Sequence, residues 1–385
     1  MRFILFLCLW TLGLTQEERA IVQVSGNMMY TYTNGDDHSL NDNTNADNPF
    51  NTLRTKLFFF SALAENIETD VEIMYDSDAK AGRLFWLHGA QIKFFEVGNL
   101  PSLNIKVGRI PLNIGRFSSR VDETINGLIG VPVVYSYQTL VDWEQVWDPS
   151  SQKVLRKNRD AQGKINKSWF PTASPIAYES CWNTGIEFFG FVGDFEYSVQ
   201  FSNESITNPK KFDKNDLQLT GRLGYQFSEW LNLGISGARN RYLSTSINLV
   251  ANQSIKDYYH TLYGMDGTIE FQVFKLFGEM YYSRWDSNLL NDERLEAYTG
   301  FFELNYLLPF TNDLEFVNRV DMMQFNKISL HNGSRFWWDS NFIRIEAGFK
   351  YEVRKNVYIK GVYQHWEFDH YEPTGTFATQ LIVSF

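Results

Sequence analysis

Phe377-Ala378-Thr379-Gln380-Leu381-Ile382-Val383-Ser384-Phe385 ends the chain, and its alternation governs how the preceding residues are read. Phe377, Leu381, Val383 and Phe385 put apolar groups on one face; Ala378, Gln380 and Ser384 put small or polar groups on the other. This period of two is a strand with one wet side and one apolar side. A terminal strand leaves a row of N–H and C=O groups unpaired, as the edge of a soluble sandwich does. In lipid no such edge survives, so there the strand must pair with the first one and close a barrel.

Runs of the same kind recur upstream. Sixteen can be counted, over 20–33, 52–64, 69–77, 83–97, 102–117, 183–191, 195–203, 215–227, 230–241, 257–273, 276–285, 294–308, 314–326, 341–353, 357–369 and 377–385. The connections after even-numbered runs are short, among them Glu65-Asn66, Val192-Gly193, Ser228-Glu229, Phe274-Lys275 and Arg354-Lys355. Those after odd-numbered runs are mostly longer and polar, as at 34–51, 204–214, 242–256 and 327–340. Tight turns on one rim and longer loops on the other are the layout of an outer-membrane barrel. A soluble sandwich has no reason to sort its loops by parity. The spacing therefore predicts an all-β chain: a 16-stranded antiparallel transmembrane β-barrel with short periplasmic turns, longer extracellular loops and both ends on the periplasmic rim.

Composition narrows the alternatives. A mean hydropathy of −0.31, with no run of about 18 apolar residues, excludes a helical membrane protein. The 32 Phe, 20 Tyr and 11 Trp suit aromatic girdles. A net charge of −10 argues against a nucleic-acid partner. Residues 1–15 read as a secretory signal, with Met1-Arg2 before an apolar stretch from Phe3 to Leu14. Residues 16–385 then form the barrel. Cys8 falls in the leader, leaving Cys181 without an internal disulfide partner.

Charge assigns the faces. In 342–353, Ile343, Ile345, Ala347, Phe349, Tyr351 and Val353 alternate with Arg344, Glu346, Lys350 and Glu352. An Arg or Lys on the lipid face costs roughly 2–4 kcal/mol at the midplane, so the charged face is the lumen. Sixteen tilted strands enclose a backbone diameter of roughly 30–35 Å, too wide for side chains to fill. The longest connection, 118–182 after the fifth strand, carries Trp143, Trp147, Trp169 and Trp182. Its aromatic content argues against disorder, and it is expected to fold into the lumen as a constriction. An extracellular cap is the alternative. Its basic run, Lys153, Arg156, Lys157, Arg159, Lys164 and Lys167, follows the acidic Asp142, Glu144 and Asp148, as in any solvated loop or in an electrostatic funnel.

Lys106-Val107-Gly108-Arg109-Ile110-Pro111-Leu112-Asn113-Ile114-Gly115-Arg116-Phe117, followed by Ile125-Asn126-Gly127-Leu128-Ile129-Gly130-Val131-Pro132 and Tyr135-Ser136-Tyr137-Gln138-Thr139, resembles porins of the phosphate-selective O/P type and their uncharacterised relatives. The terminal aromatic is similar to the insertion signature of bacterial outer-membrane barrels. The resemblance implies a passive sixteen-stranded channel in the bacterial outer membrane, often homotrimeric, with an inward third loop. It implies contact with outer-membrane lipid and with small hydrophilic solutes or anions. The arginine ladder and lysine cluster of phosphate channels have no counterpart here of comparable density.

Symmetric hairpins at 98–101 and 354–356 would set Lys93 across from Lys106 and Lys350 across from Lys360. Like charges directly opposite are unfavourable unless solvent or an anion offsets them. Lys93, Lys106, Arg109, Arg116, Lys350 and Lys360 are accordingly the candidate pore-lining anion contacts, and weak anion preference is expected. Lumen charge balanced by Glu187, Glu196, Glu270, Glu303 and Glu346 is the plainer account. No cofactor, metal site or catalytic motif is expected; His365, Glu367 and Asp369 share one face near a rim as surface residues. The rival functions are a scaffold barrel around a separate multihaem cytochrome, a surface-interaction barrel, and a barrel hydrolase.

Overall fold

A computed structural model describes residues 21–35, 52–77, 85–137, 139–140, 147–148, 153–154, 173–177, 182–203, 205–207, 217–242, 254, 257–286, 294–311, 313–329 and 335–385. The expected leader at 1–15, and the basic run from Arg156 to Lys167, lie outside the described residues.

Sixteen antiparallel strands close one ring in chain order. They are β1 (Gln23–Gly35), β2 (Thr52–Ala64), β3 (Ile67–Asp76), β4 (Phe85–Phe94), β5 (Asn104–Pro111), β6 (Trp182–Val192), β7 (Phe195–Ser202) and β8 (Gln218–Ser228). The second half comprises β9 (Leu231–Arg241), β10 (Tyr259–Glu270), β11 (Phe274–Asp286), β12 (Arg294–Leu307), β13 (Leu314–Phe325), β14 (Phe342–Arg354), β15 (Val357–Phe368) and β16 (Thr374–Ser384). The terminal strand does what its alternation requires. It runs antiparallel to β1, from Asn27 opposite Ser384 to Gly35 opposite Thr376. Gly26 and Phe385 exchange backbone hydrogen bonds at 2.9 and 3.0 Å, so the seam is sealed to the last residue.

The faces sort by charge. Ile343 and Ile345 on β14 are half exposed on the outside, while Arg344 and Glu346 between them are fully buried inside. Aromatic rings gather at the short-turn rim: Phe195 against Tyr225, Tyr225 against Phe227, and Trp230 stacked on Phe271. Such belts mark the level of the lipid headgroups.

Strand ends fall within about three residues of the sequence reading, with one larger difference and one displaced turn. The expected fifth strand, 102–117, stops at Pro111, the last residue paired with β6, opposite Trp182. Proline has no N–H to extend the ladder, and Leu112, Ile114 and Phe117 turn inward to become buried core. The turn expected at Phe274-Lys275 sits instead at 271–273, where Phe271 N–H donates to the Phe274 carbonyl at 2.8 Å. The apolar run Phe271-Gln272-Val273-Phe274 hides that turn because its two phenylalanines, 4.8 Å apart, face the interface rather than a core.

Removing residues 376–385 would leave β1 and β15 as open edges in lipid. The truncated chain should not form a heat-modifiable, detergent-resistant band on electrophoresis. A compact band at the wild-type position would mean that the seam is dispensable.

Candidate functional site: the lumen and its inserted segment

Residues 112–137 lie inside the ring, held by inward side chains from strands far away in sequence. At Gly115 the backbone takes φ +60°, and a Cβ there would sit 2.1 Å from the Tyr281 hydroxyl. Glycine is what allows the chain to pass this close to β11. Beyond it, one Glu279 carboxylate accepts four donors. These are the N–H groups of Arg116 (2.5 Å) and Phe117 (2.8 Å) and the hydroxyls of Tyr135 (2.5 Å) and Tyr281 (2.9 Å). This carboxylate on β11 thus ties down both ends of the inserted chain.

The middle of the segment crosses to the opposite wall. Asn27 on β1 donates to Asp122 at 3.1 Å, and Glu123 receives Lys56 Nζ at 2.6 Å and Arg54 Nη1 at 3.0 Å from β2. Burial alone would raise the Glu123 carboxyl, but Lys56 and Arg54 outweigh it and hold it down to about 2. The backbone then passes over β14 and β15. Lys350 donates to the Thr124 carbonyl, Lys360 to those of Asn126 and Leu128, and Arg344 to that of Val131. Leu128 and Ile129 pack on Val317, Val362 and Ala378. A short helix, α1 (Val133–Ser136), opens with the Val133 N–H donating to Asp321 at 3.0 Å. Tyr137 and Thr139 end on Asp339 in the connection after β13.

Electrostatics make the insertion necessary. The inner wall of β12–β14 buries three carboxylates, Glu303, Asp321 and Glu346, against two guanidiniums, Arg319 and Arg344. All five side chains have no solvent exposure. The third cation is Arg120 of the inserted segment, which pairs with Glu303 and lies over the Phe277 ring at 3.4 Å.

The six basic candidates fall into three groups. The registers are as expected, with Lys93 opposite Lys106 and Lys350 opposite Lys360. Lys350 and Lys360 are engaged by segment carbonyls. Lys93 pairs with Asp70 at 2.7 Å, Lys106 with Glu187 at 3.3 Å and Arg116 with Glu196 at 2.7 Å. Arg109 takes the opposite strand parity from Lys106, beside exposed Thr184, and donates to the His88 carbonyl at 2.9 Å. His365 and Glu367 sit together at 3.4 Å, both well exposed. Among the described residues no cluster of three His, Cys, Asp or Glu could hold a metal ion.

Sequence reasoning singled out neither Glu279 nor Arg120, Arg319 and Asp321. The wall charges carried a usable signal in part: the short hairpin between β12 and β13 sets Glu303 beside Arg319. The Glu279 contact had none, since 163 residues separate it from Arg116.

Arg120→Met should destabilise the barrel by about 3–5 kcal/mol, because it leaves the three buried carboxylates one cation short. Adding Glu303→Gln should recover much of that loss in chemical unfolding, and strict additivity would refute the pairing. The Glu123 latch has its own pH signature. A carboxyl depressed from 4.5 to about 2 stabilises the fold fully above pH 4.5, and that contribution fades as pH falls towards 2. Hydrogen exchange over 112–137 should therefore be flat from pH 7 to 5, after correction for intrinsic rates, and rise only in stronger acid.

No family model matches the sequence, and no curated protein matches it. Solved structures do. An anion-selective porin from Comamonas acidovorans superposes with a TM-score of 0.58 at 10% identity, covering 95% of this chain and 100% of its own. The outer-membrane channel DcaP of Acinetobacter baumannii gives 0.56 at 9%, with 97% and 99% covered. OmpT of Vibrio cholerae, in trimer form, gives 0.55 at 8%, with 96% and 100% covered. Identities this low carry the fold alone. With its sealed ring, apolar outer face and aromatic belt, the chain is a membrane-spanning β-barrel with the fold of outer-membrane barrels.

Proposed function

We propose that the protein is a porin: a passive, non-enzymatic channel for small hydrophilic solutes or ions. The observation that carries this reading is the uneven burial around the ring. Away from the short-turn rim, where Glu270 and Lys275 are exposed, inward side chains of β9–β16 are mostly buried. Those of β3–β7 include Asp70, Lys93, Lys106 and Glu196, which keep 33%, 22%, 20% and 33% of their side-chain surface exposed. A water-filled path along that side, off the barrel axis and narrowed by residues 112–137, fits both halves of the pattern. The inserted segment also leaves no space for a sheathed haem protein, which disfavours the scaffold reading. Homotrimeric assembly and kinship with the phosphate-selective O/P type belong to this proposal as its finer parts.

Charge preference is the other finer part. Lys106 is more exposed than the Glu187 carboxylate behind it, which is 1% exposed. Arg116, at 33%, likewise stands in front of Asp266, at 1%. A cation presented to water with its counter-charge tucked behind favours anions. Asp70 and Glu196 are themselves exposed, and screening confines each charge to about 8–10 Å. The resulting preference is for anions and weak, with Lys93, Lys106 and Arg116 as the contacts.

Proteoliposomes should swell in small sugars and lose permeability as the sugar grows; absence of swelling with correctly folded barrel would reject the porin. Reversal potentials in a KCl gradient should show slight chloride preference, shifted towards potassium by Lys106→Glu and by Arg116→Glu. A potassium-selective wild type, or no shift in either variant, would place the selective region elsewhere.

A further inference from the structure

The extracellular rim of the outer wall carries charge that the channel does not use. On β9–β12 the outward positions form rows across the strands. One row holds Gly237, Tyr263, Tyr282 and Tyr298 in register. Tyr263 lies parallel to Tyr282 at 6.5 Å, and Tyr282 lies 5.0 Å from Tyr298, a girdle at headgroup level. The next row towards the long-loop rim reads Arg239, Thr261, Arg284 and Glu296. Arg241, Asp286 and Arg294 follow beyond it.

Arg239 and Arg284 form no ion pair with any described carboxylate. Arg239 rests over the Tyr259 ring at 4.2 Å, and Glu296, opposite Arg284, instead accepts the Tyr282 hydroxyl at 2.7 Å. The two arginines flank Thr261 across one intervening strand, about 10 Å apart at the backbone, so both guanidiniums can reach one group centred over it. The described strand positions of this patch hold four arginines and two carboxylates, with Arg294 paired to Asp286 at 3.5 Å, in a chain of net charge −10. At the same rim β15 presents His365 and Glu367 outward, so the arginine pair is not repeated there.

Below the arginines the wall has a notch. Gly221 and Gly237 are paired, and an added Cβ would meet nothing closer than 3.4 Å at the first and 3.9 Å at the second. No internal packing demands glycine there. Exposed Leu219, Ile235, Tyr263 and Met265 surround it. Arginine near a barrel rim costs only about 0–1 kcal/mol against lipid, so the positions are tolerable, and a phosphate there would gain paired, charge-assisted hydrogen bonds.

We propose that the outer face of β8–β12 binds a phosphorylated lipid of the outer leaflet, with a phosphate between Arg239 and Arg284 and an acyl chain along the Gly221–Gly237 notch. A lipid is the fitting source because the arginines sit directly above an apolar belt, where a phosphate is held by its own acyl anchor.

The test is native mass spectrometry of the detergent-solubilised full barrel with bisphosphorylated lipid A and with its dephosphorylated form. Wild type should retain the phosphorylated lipid preferentially. Arg239→Ala with Arg284→Ala should weaken that retention by about tenfold or more, while Glu367→Gln leaves it unchanged. Equal retention by the double variant, equal retention of both lipids, or displacement of the lipid by inorganic phosphate alone would overturn the assignment. Should the double variant fail to give a heat-modifiable band, Arg239→Gln, at an exposed position, carries the same reading at lower amplitude.

Discussion

A bilayer core offers no hydrogen bonds to a peptide group, and every other feature of this molecule follows from meeting that condition. Sixteen strands satisfy it only as a ring, so the first and last must find each other across the whole sequence. The reciprocal bonds between Gly26 and Phe385 are where the condition is finally met. The parity of loop lengths, the apolar outer face and the even strand count are consequences of the same requirement.

Closure creates a second problem that the strands cannot solve. A ring of this circumference encloses more space than its inward side chains can fill, yet its inner wall carries buried charge that needs partners. Residues 112–137 answer both needs. They bring Arg120 to an acidic excess on β12–β14, Glu123 to a basic pair on β2, and backbone carbonyls to Lys350, Lys360 and Arg344. Charges removed from water are costly unless matched. The wall and the segment therefore depend on one another: neither leaves its ionic groups satisfied without the other. The half-exposed charges of β3–β7 are those the segment does not cover, and the proposed path follows them.

The amino-acid order made the ring legible because its signals are local. Alternation within 342–353 is visible in a dozen residues, and a turn such as Glu65-Asn66 is flanked by its own strands. Register across a hairpin could also be read, and it set Lys93 opposite Lys106. What those lysines touch was less legible. The like-charge pairs are offset by Asp70, Glu187 and segment carbonyls, and hairpin geometry says little about a loop more than 200 residues away. Strand β5 was read as too long for a related reason. Leu112 and Ile114 keep a strand-like period while packing inside the lumen, and periodicity records which residues are buried, not what buries them.

The central claim is that water and solutes cross along the β3–β7 wall, beside the inserted segment. In a Cys181→Ser background, single cysteines at Asp70 or Gln91 should react with a charged methanethiosulfonate reagent and reduce the single-channel current in planar bilayers. A cysteine at Thr299, on the covered wall, should leave that current unchanged. Equal block from both walls, or a folded, inserted barrel that never conducts, would contradict the account.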